Sequence, residues 1–131
     1  LLVVGLPAGS RVRVNQSYGV VELDADDAAP LTLLISEAVT NALKYMQQPN
    51  SGERAHLDIS LRMDGPESAV FQIANSTGSE SGPDGTGLGT QLINAFARQL
   101  SAHAETMREA DLHRLTVRFP VQHLRKAVAD F

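Results

Sequence analysis

Residues 33–45 read Leu-Leu-Ile-Ser-Glu-Ala-Val-Thr-Asn-Ala-Leu-Lys-Tyr. This stretch constrains the fold more than any other, because it is a helix with two distinct faces. At about 100° per residue, Leu31, Ile35, Ala38, Val39, Ala42, Leu43 and Met46 share one broad arc that can face a core. Glu37, Asn41, Lys44 and Tyr45 gather on a separate arc, so an acid, an amide and a cation project together. On its own such an arc is an ordinary solvated helix face, and the rest of the chain has to decide its use.

The flanking segments supply a sheet for the apolar arc to cover. Residues 11–14 alternate basic and apolar side chains, residues 15–19 carry turn chemistry, and Val20, Val21 and Leu23 form a second short alternation. Together they are expected to form a hairpin. Asp24, Asp26 and Asp27 crowd the helix entrance, where carboxylates fit cap and dipole partners better than a metal cluster. Pro30 suits the first turn, and residues 49–52 (Pro-Asn-Ser-Gly) end the helix after about Met46. From His56 to Met63 the pattern alternates strictly, with Leu57, Ile59, Leu61 and Met63 on one face. A turn at Asp64-Gly65-Pro66 leads to a strand over residues 69–74, the natural hairpin partner. Two further strands are expected at residues 103–107 and 112–119. Leu124, Ala127 and Val128 recur at helical spacing in the tail.

Between these strand pairs the composition shifts. Residues 75–89 run Asn-Ser-Thr-Gly-Ser-Glu-Ser-Gly-Pro-Asp-Gly-Thr-Gly-Leu-Gly. The bland reading is a linker. The run instead opens an amphipathic helix, in which Leu88, Leu92, Ala95, Phe96 and Leu100 form the apolar stripe and Gln91, Asn94 and Arg98 face away. Glycines at a helix entrance let backbone N–H groups approach an anion, and the helix N-terminus adds favourable potential.

The totals exclude several function classes. A chain of 131 residues suits one domain with its own core, taken here as residues 1–131 with the core at 11–120 and a tail at 121–131. Its net charge of −4 argues against a broad nucleic-acid surface. With no cysteine there is no disulfide, thiolate zinc site or thiol nucleophile. No apolar run is long enough to span a membrane. The chain starts without Met and reads as a piece of a longer protein.

The element order is hairpin, helix, two strands, glycine loop, helix, two strands. It describes an α+β two-layer sandwich, with a mixed or antiparallel sheet carrying helices on one face. In that order, Glu37-Ala-Val-Thr-Asn41-Ala-Leu-Lys44-Tyr45 and Gly85-Thr86-Gly87-Leu88-Gly89 resemble the asparagine box and second glycine box of the sensor histidine kinase ATP-binding domain. That domain belongs to the superfamily of gyrase B, Hsp90 and MutL. Val21-Glu-Leu, residues 97–100 and Val117-Arg-Phe-Pro120 look most like the HWE and HisKA_2 subgroups.

The resemblance implies ATP and Mg²⁺ as cofactors, with Asn41 as metal ligand and Glu37 as general base or water-orienting group. Lys44 would contact phosphate and Tyr45 would pack near the nucleotide. Gly85, Thr86, Gly87, Leu88 and Gly89 would wrap the phosphates, and residues 76–84 would form a lid. Asn75, Thr77 and Gly78 fall at the first glycine box, where the family has Asp-x-Gly-x-Gly, and Leu112-His113 stands where the family has Gly-Thr. The metal and phosphate parts are thus retained and the adenine part is altered.

The reaction implied is γ-phosphoryl transfer to a histidine on an upstream dimerisation domain, then to a response regulator receiver domain. A cytoplasmic, homodimeric full-length protein without direct membrane or nucleic-acid contact follows from the same resemblance. His56, His103 and His123 read as structural residues rather than phosphoacceptors. The alternatives are a degenerate nucleotide-binding or docking module of a phosphorelay, and a serine-kinase-type anti-sigma factor.

Overall fold

The computed structural model describes residues 11–78 and 88–121. Its elements are β1 (Arg13–Tyr18), α1 (Ala25–Tyr45), β2 (His56–Met63), β3 (Ser68–Ser76), α2 (Leu88–Gln99), β4 (His103–Glu109) and β5 (Leu112–Pro120). The strands form one five-stranded sheet in the order β1-β2-β3-β5-β4. β1 and β2 run parallel, and every other neighbouring pair is antiparallel. This is the expected α+β sandwich with a mixed sheet.

The strand alternation in the sequence maps onto the two faces. Leu57, Ile59 and Leu61 lie beside Asn75, Ile73 and Phe71 of β3. Those in turn lie beside His113, Leu115 and Val117 of β5. Ile59, Phe71, Ile73, Leu115 and Val117 are buried against Leu31, Leu34, Ala38 and Ala42 of α1, Ile93 and Ala97 of α2, and Leu100 just after it, in one core cluster. Phe71 and Val117 are both 0% exposed, so this layer is the most completely buried part of the sheet. Val121, also buried, extends β5 by donating its N–H to the Glu67 carbonyl at 2.8 Å.

Three sequence expectations need correction. The N-terminal hairpin does not form. β1 starts at Arg13 and continues through the residues read as a turn, and Val20 to Leu23 lead into α1 without forming a strand. β1 reaches the sheet by a parallel pairing with β2 across α1, which is the connection that parallel neighbours require. As an edge strand with every residue exposed, it lacks the apolar pattern that would have marked it.

α1 begins earlier than Pro30 implied. The Asp24 carbonyl accepts the N–H groups of Asp27 and Ala28, and Asp26 and Asp27 occupy the first turn. Pro30 therefore lies inside the helix, where its missing N–H leaves the Asp26 carbonyl without the usual helical donor. On α2, Ile93 and Ala97 are the deeply buried residues, whereas Leu92, Ala95 and Phe96 are only half-buried. The stripe is thus rotated from the one read in the sequence.

α2 ends with a two-bond C-terminal motif. Ser101 N–H donates to the Arg98 carbonyl and Ala102 N–H to the Ala97 carbonyl, with Ser101 at φ 54° where glycine is usual. The helical reading of the tail, and most of the glycine run, lie outside the described residues.

Candidate functional site

The C-terminal end of β3 is built into a clamp. Ser76 is fully buried, and its hydroxyl donates to the Gln47 carbonyl at 2.6 Å while accepting the His56 N–H at 3.0 Å. Gln47 N–H returns a bond to the Ser76 carbonyl at 3.0 Å. Gly78 N–H donates to Gln47 Oε1 at 2.8 Å. A Cβ on Gly78 would come within 3.0 Å of the Gln48 carbonyl oxygen, so this glycine is needed for close approach of two backbones. Thr77 N–H donates to the carbonyl of Asp111, in the β4–β5 turn, at 2.8 Å. These bonds fix Asn75 and Thr77 relative to the segment that follows α1 and the start of β5.

Above this clamp a cavity of about 320 Å³ opens between α1, α2 and the sheet. That volume is at the lower end of the roughly 300–1,000 Å³ typical of small-molecule sites. Ile73, Ile93, Ala104 and Leu115 give it apolar walls, and Asn41 and Tyr45 reach it from α1. Asn75 and Thr77 line it from β3, and Thr90 and Asn94 from α2. Thr106, Arg108 and His113 complete it from β4 and β5.

Thr77 is 6% exposed and its hydroxyl oxygen has no hydrogen-bond partner among the described residues. A buried hydroxyl without a partner costs about 1–3 kcal/mol, so it marks a place where a ligand group would be favoured. Asn75 is 5% exposed, and its Nδ2 donates to the Ser76 carbonyl at 3.2 Å. Burial and the neighbouring Arg108 charge, in that order, hold the His113 pKa below the ordinary value of 6.5.

The structure brings Asn41, Tyr45, Asn75 and Thr77 together in the wall of one cavity. It does not bring Glu37 and Lys44 to the cavity wall. Lys44 Nζ instead sits 5.3 Å from the centre of the Tyr45 ring, a cation–π arrangement. Gly78 supports the clamp and does not line the cavity. Ser76, read as the start of a lid, is the buried end of β3. Gly85, Thr86 and Gly87 lie outside the described residues, while Leu88 and Gly89 open α2.

Sequence reasoning missed Gln47, Thr90, Thr106 and Arg108, marked His113 only as a departure from the family's pattern, and placed Asn94 away from the core. Asn94 is exposed yet lines the cavity, because it stands one turn beyond Thr90 at the open end. The available signal was the alternation of Ala104, Thr106 and Arg108, which puts all three on the helix-facing side of β4.

Comparison by fold is informative where comparison by sequence is not. No family profile and no curated protein matches the chain. Among solved structures, a histidine kinase domain from the blue-light activated kinase EL346 of Erythrobacter litoralis superposes with a TM-score of 0.71 at 16% identity, covering 88% of this chain and 57% of that one. The chain has the fold of histidine kinase catalytic domains. The Acinetobacter baumannii histidine kinase AdeS gives a TM-score of 0.68 at 13% identity, covering 87% of this chain and 56% of AdeS. Full-length ShkA in complex with AMPPNP gives 0.65 at 14% identity, covering 84% of this chain and 26% of ShkA. The chain thus spans little more than half the length of the first of these structures. Among its described residues, no helix is long and apolar enough to cross a membrane.

Proposed function

We propose that the chain is the ATP-binding catalytic unit of a sensor histidine kinase. In this reading it binds ATP with Mg²⁺ and donates the γ-phosphoryl group to a histidine on an upstream dimerisation domain. The observation that carries the proposal is the cavity of about 320 Å³, in which a buried hydroxyl without a partner among the described residues (Thr77) and two amides (Asn41 and Asn75) stand beside the apolar side chains of Ile73, Ile93 and Leu115. A base needs apolar walls for its faces and a few fixed polar atoms at its edge.

Each residue then has a task. Ile73, Ile93 and Leu115 exclude water from the faces of the base. Asn75 and Thr77 meet its edge. Tyr45 closes the slot from α1. Asn41 supplies a neutral oxygen of the kind Mg²⁺ accepts when phosphates and water fill its other positions. When bound, the metal would neutralise phosphate charge. The entrance of α2, following the glycine run, favours that same anionic end. Glu37 and Lys44, on the neighbouring arc of α1, are assigned to the incoming acceptor and the outer phosphate. The phosphate would pass from histidine to a receiver domain, in a cytoplasmic homodimer whose other segments supply the acceptor. Residues 1–131 act as one domain in this account.

A second reading is a degenerate module that docks without effective nucleotide binding. It is favoured by Asn75 and Thr77 standing where the resembling family has aspartate and glycine. Calorimetric titration with ATP and Mg²⁺ separates the two. Under the kinase reading, heat is released with micromolar to low-millimolar affinity and Asn41→Ala weakens it. An absence of heat and of thermal shift at millimolar ATP would leave the docking reading in place.

A further inference from the structure

Among the described residues the sheet has two open edges, β1 and β4. Proteins guard such edges with charges, proline or bulges, because unpaired N–H and C=O groups are a template for another strand. β4 is guarded: His103, Glu105, Arg108 and Glu109 are four of its seven residues. β1 is not. Its sequence, Arg-Val-Asn-Gln-Ser-Tyr, has one charge, at Arg13, and no proline. Its register with β2 runs unbroken from Arg13 to Tyr18, so no bulge bends it away. Every residue of β1 is exposed, and none lines the cavity.

Parity decides which groups face outward. Arg13 N–H donates to the Ala55 carbonyl at 2.9 Å, and Gly19 N–H donates to the Leu61 carbonyl at 2.8 Å. The odd-numbered residues of β1 thus direct their backbone groups at β2, and those of Val14, Gln16 and Tyr18 point to the open edge. The side chains of the same three residues share the helix-facing side, because they pair in register with Leu57, Ile59 and Leu61. Val14 and Tyr18 are exposed apolar side chains on that side.

Both alternations fit a second copy of the same strand. An antiparallel pairing about a two-fold axis at Gln16 sets Val14 opposite the partner's Tyr18, Tyr18 opposite the partner's Val14, and Gln16 opposite the partner's Gln16. All three are hydrogen-bonded pairs, since outward-facing backbone groups meet in each. An aromatic side chain opposite a β-branched one is a favourable cross-strand pair. Gln16 Oε1 accepts the Tyr18 hydroxyl at 2.8 Å, which leaves the Gln16 amide N–H groups to donate to the partner's Gln16. On the other face Asn15 meets the partner's Ser17, so no like charges are opposed. A shift of two residues either way would instead set Gln16 against Val14 or against Tyr18.

We propose that β1 is a self-association edge, through which two copies of this chain pair antiparallel over residues 14–18 and join their sheets. The contact is small. A six-residue strand is about 20 Å long, so edge pairing alone falls below the roughly 800 Å² per partner of a standard interface. The association is therefore weak, and it is populated where a tether raises the local concentration.

Sedimentation equilibrium of the whole chain without nucleotide, up to millimolar concentration, tests this with two variants at the position that meets itself. Gln16 is exposed and outside the core cluster, so both variants are expected to fold. The wild type should associate reversibly. Gln16→Lys and Gln16→Glu each set like charges in opposition, and each should weaken association about fivefold. An equimolar mixture of the two sets opposite charges together and should associate at least as tightly as the wild type. A wild type that stays monomeric at millimolar concentration would overturn the proposal. Association that both variants leave unchanged would also overturn it, by placing the contact elsewhere. A mixture no tighter than either variant alone would overturn the pairing at Gln16.

Discussion

Asn75 stands at the point where sequence and structure bear on the same question. A carboxylate there would accept a charge-assisted hydrogen bond from the base amine, worth about 1.5–3 kcal/mol against about 0.5–1.5 kcal/mol for the neutral amide. Asn75→Asp is therefore expected to tighten ATP by about tenfold in a calorimetric titration. The new carboxylate would lie in register with His113 and near Arg108, which helps keep it ionised. Unchanged affinity would mean that the base does not lie against residue 75. The asparagine was legible in the sequence because it follows a clear strand and opens a polar run. His113 was visible only as a departure from a motif, since its place in the cavity wall beside Asn75 and Arg108 depends on cross-strand register that no local pattern reveals. Glu37 and Lys44 illustrate the converse. Helical spacing puts them on the arc of Asn41, but spacing cannot say that the Lys44 side chain lies across the Tyr45 ring.

At the scale of the element, α1 shows how far periodicity carries and where it stops. Its polar arc and the buried Ala38 and Ala42 follow from the 3.6-residue repeat. Leu34, which is 0% exposed, was left out of the apolar arc, while its neighbour Leu33 is 51% exposed. Two adjacent leucines give periodicity little to choose between. Packing decides, because α1 has α2 beside it as well as a sheet beneath it. Leu34→Ala is expected to cost about 2–5 kcal/mol, through lost transfer energy and the cavity left behind. Leu33→Ala should stay within about 0.5 kcal/mol. Urea unfolding of the two variants checks the contrast, and similar losses from both would show that α1 is rotated from the position described. The strict alternation in β2 needed no such arbitration, and its bounds were read correctly from the sequence, because one of its faces packs on the core while the other is only partly covered.

For the whole molecule, the two-layer arrangement was legible and one connection was not. β2, β3, β4 and β5 carry enough apolar alternation to be placed, and turns join β2 to β3 and β4 to β5. β1 has no apolar pattern, because it occupies the sheet edge. Its parallel pairing is long-range, and a local hairpin was the simpler expectation. The error leaves the site untouched, since the cavity is formed by α1, α2, β3, β4 and β5.

The same layout gives the account a spatial test. A second concave region, of about 260 Å³, lies on the sheet around Asp58, Ser60, Gln72 and Arg114. These residues alternate with the core-facing positions of their strands, so a ligand there would touch a different set of amides. The most direct measurement is an amide ¹⁵N–¹H titration of the labelled chain with ATP and Mg²⁺. We expect progressive, saturable shifts concentrated at Asn41, Tyr45, Asn75, Thr77 and Thr90, with Ser60, Gln72 and Arg114 unmoved. An unshifted spectrum at millimolar ATP, or shifts centred on Ser60, Gln72 and Arg114, would contradict the assignment of the cavity as a nucleotide site.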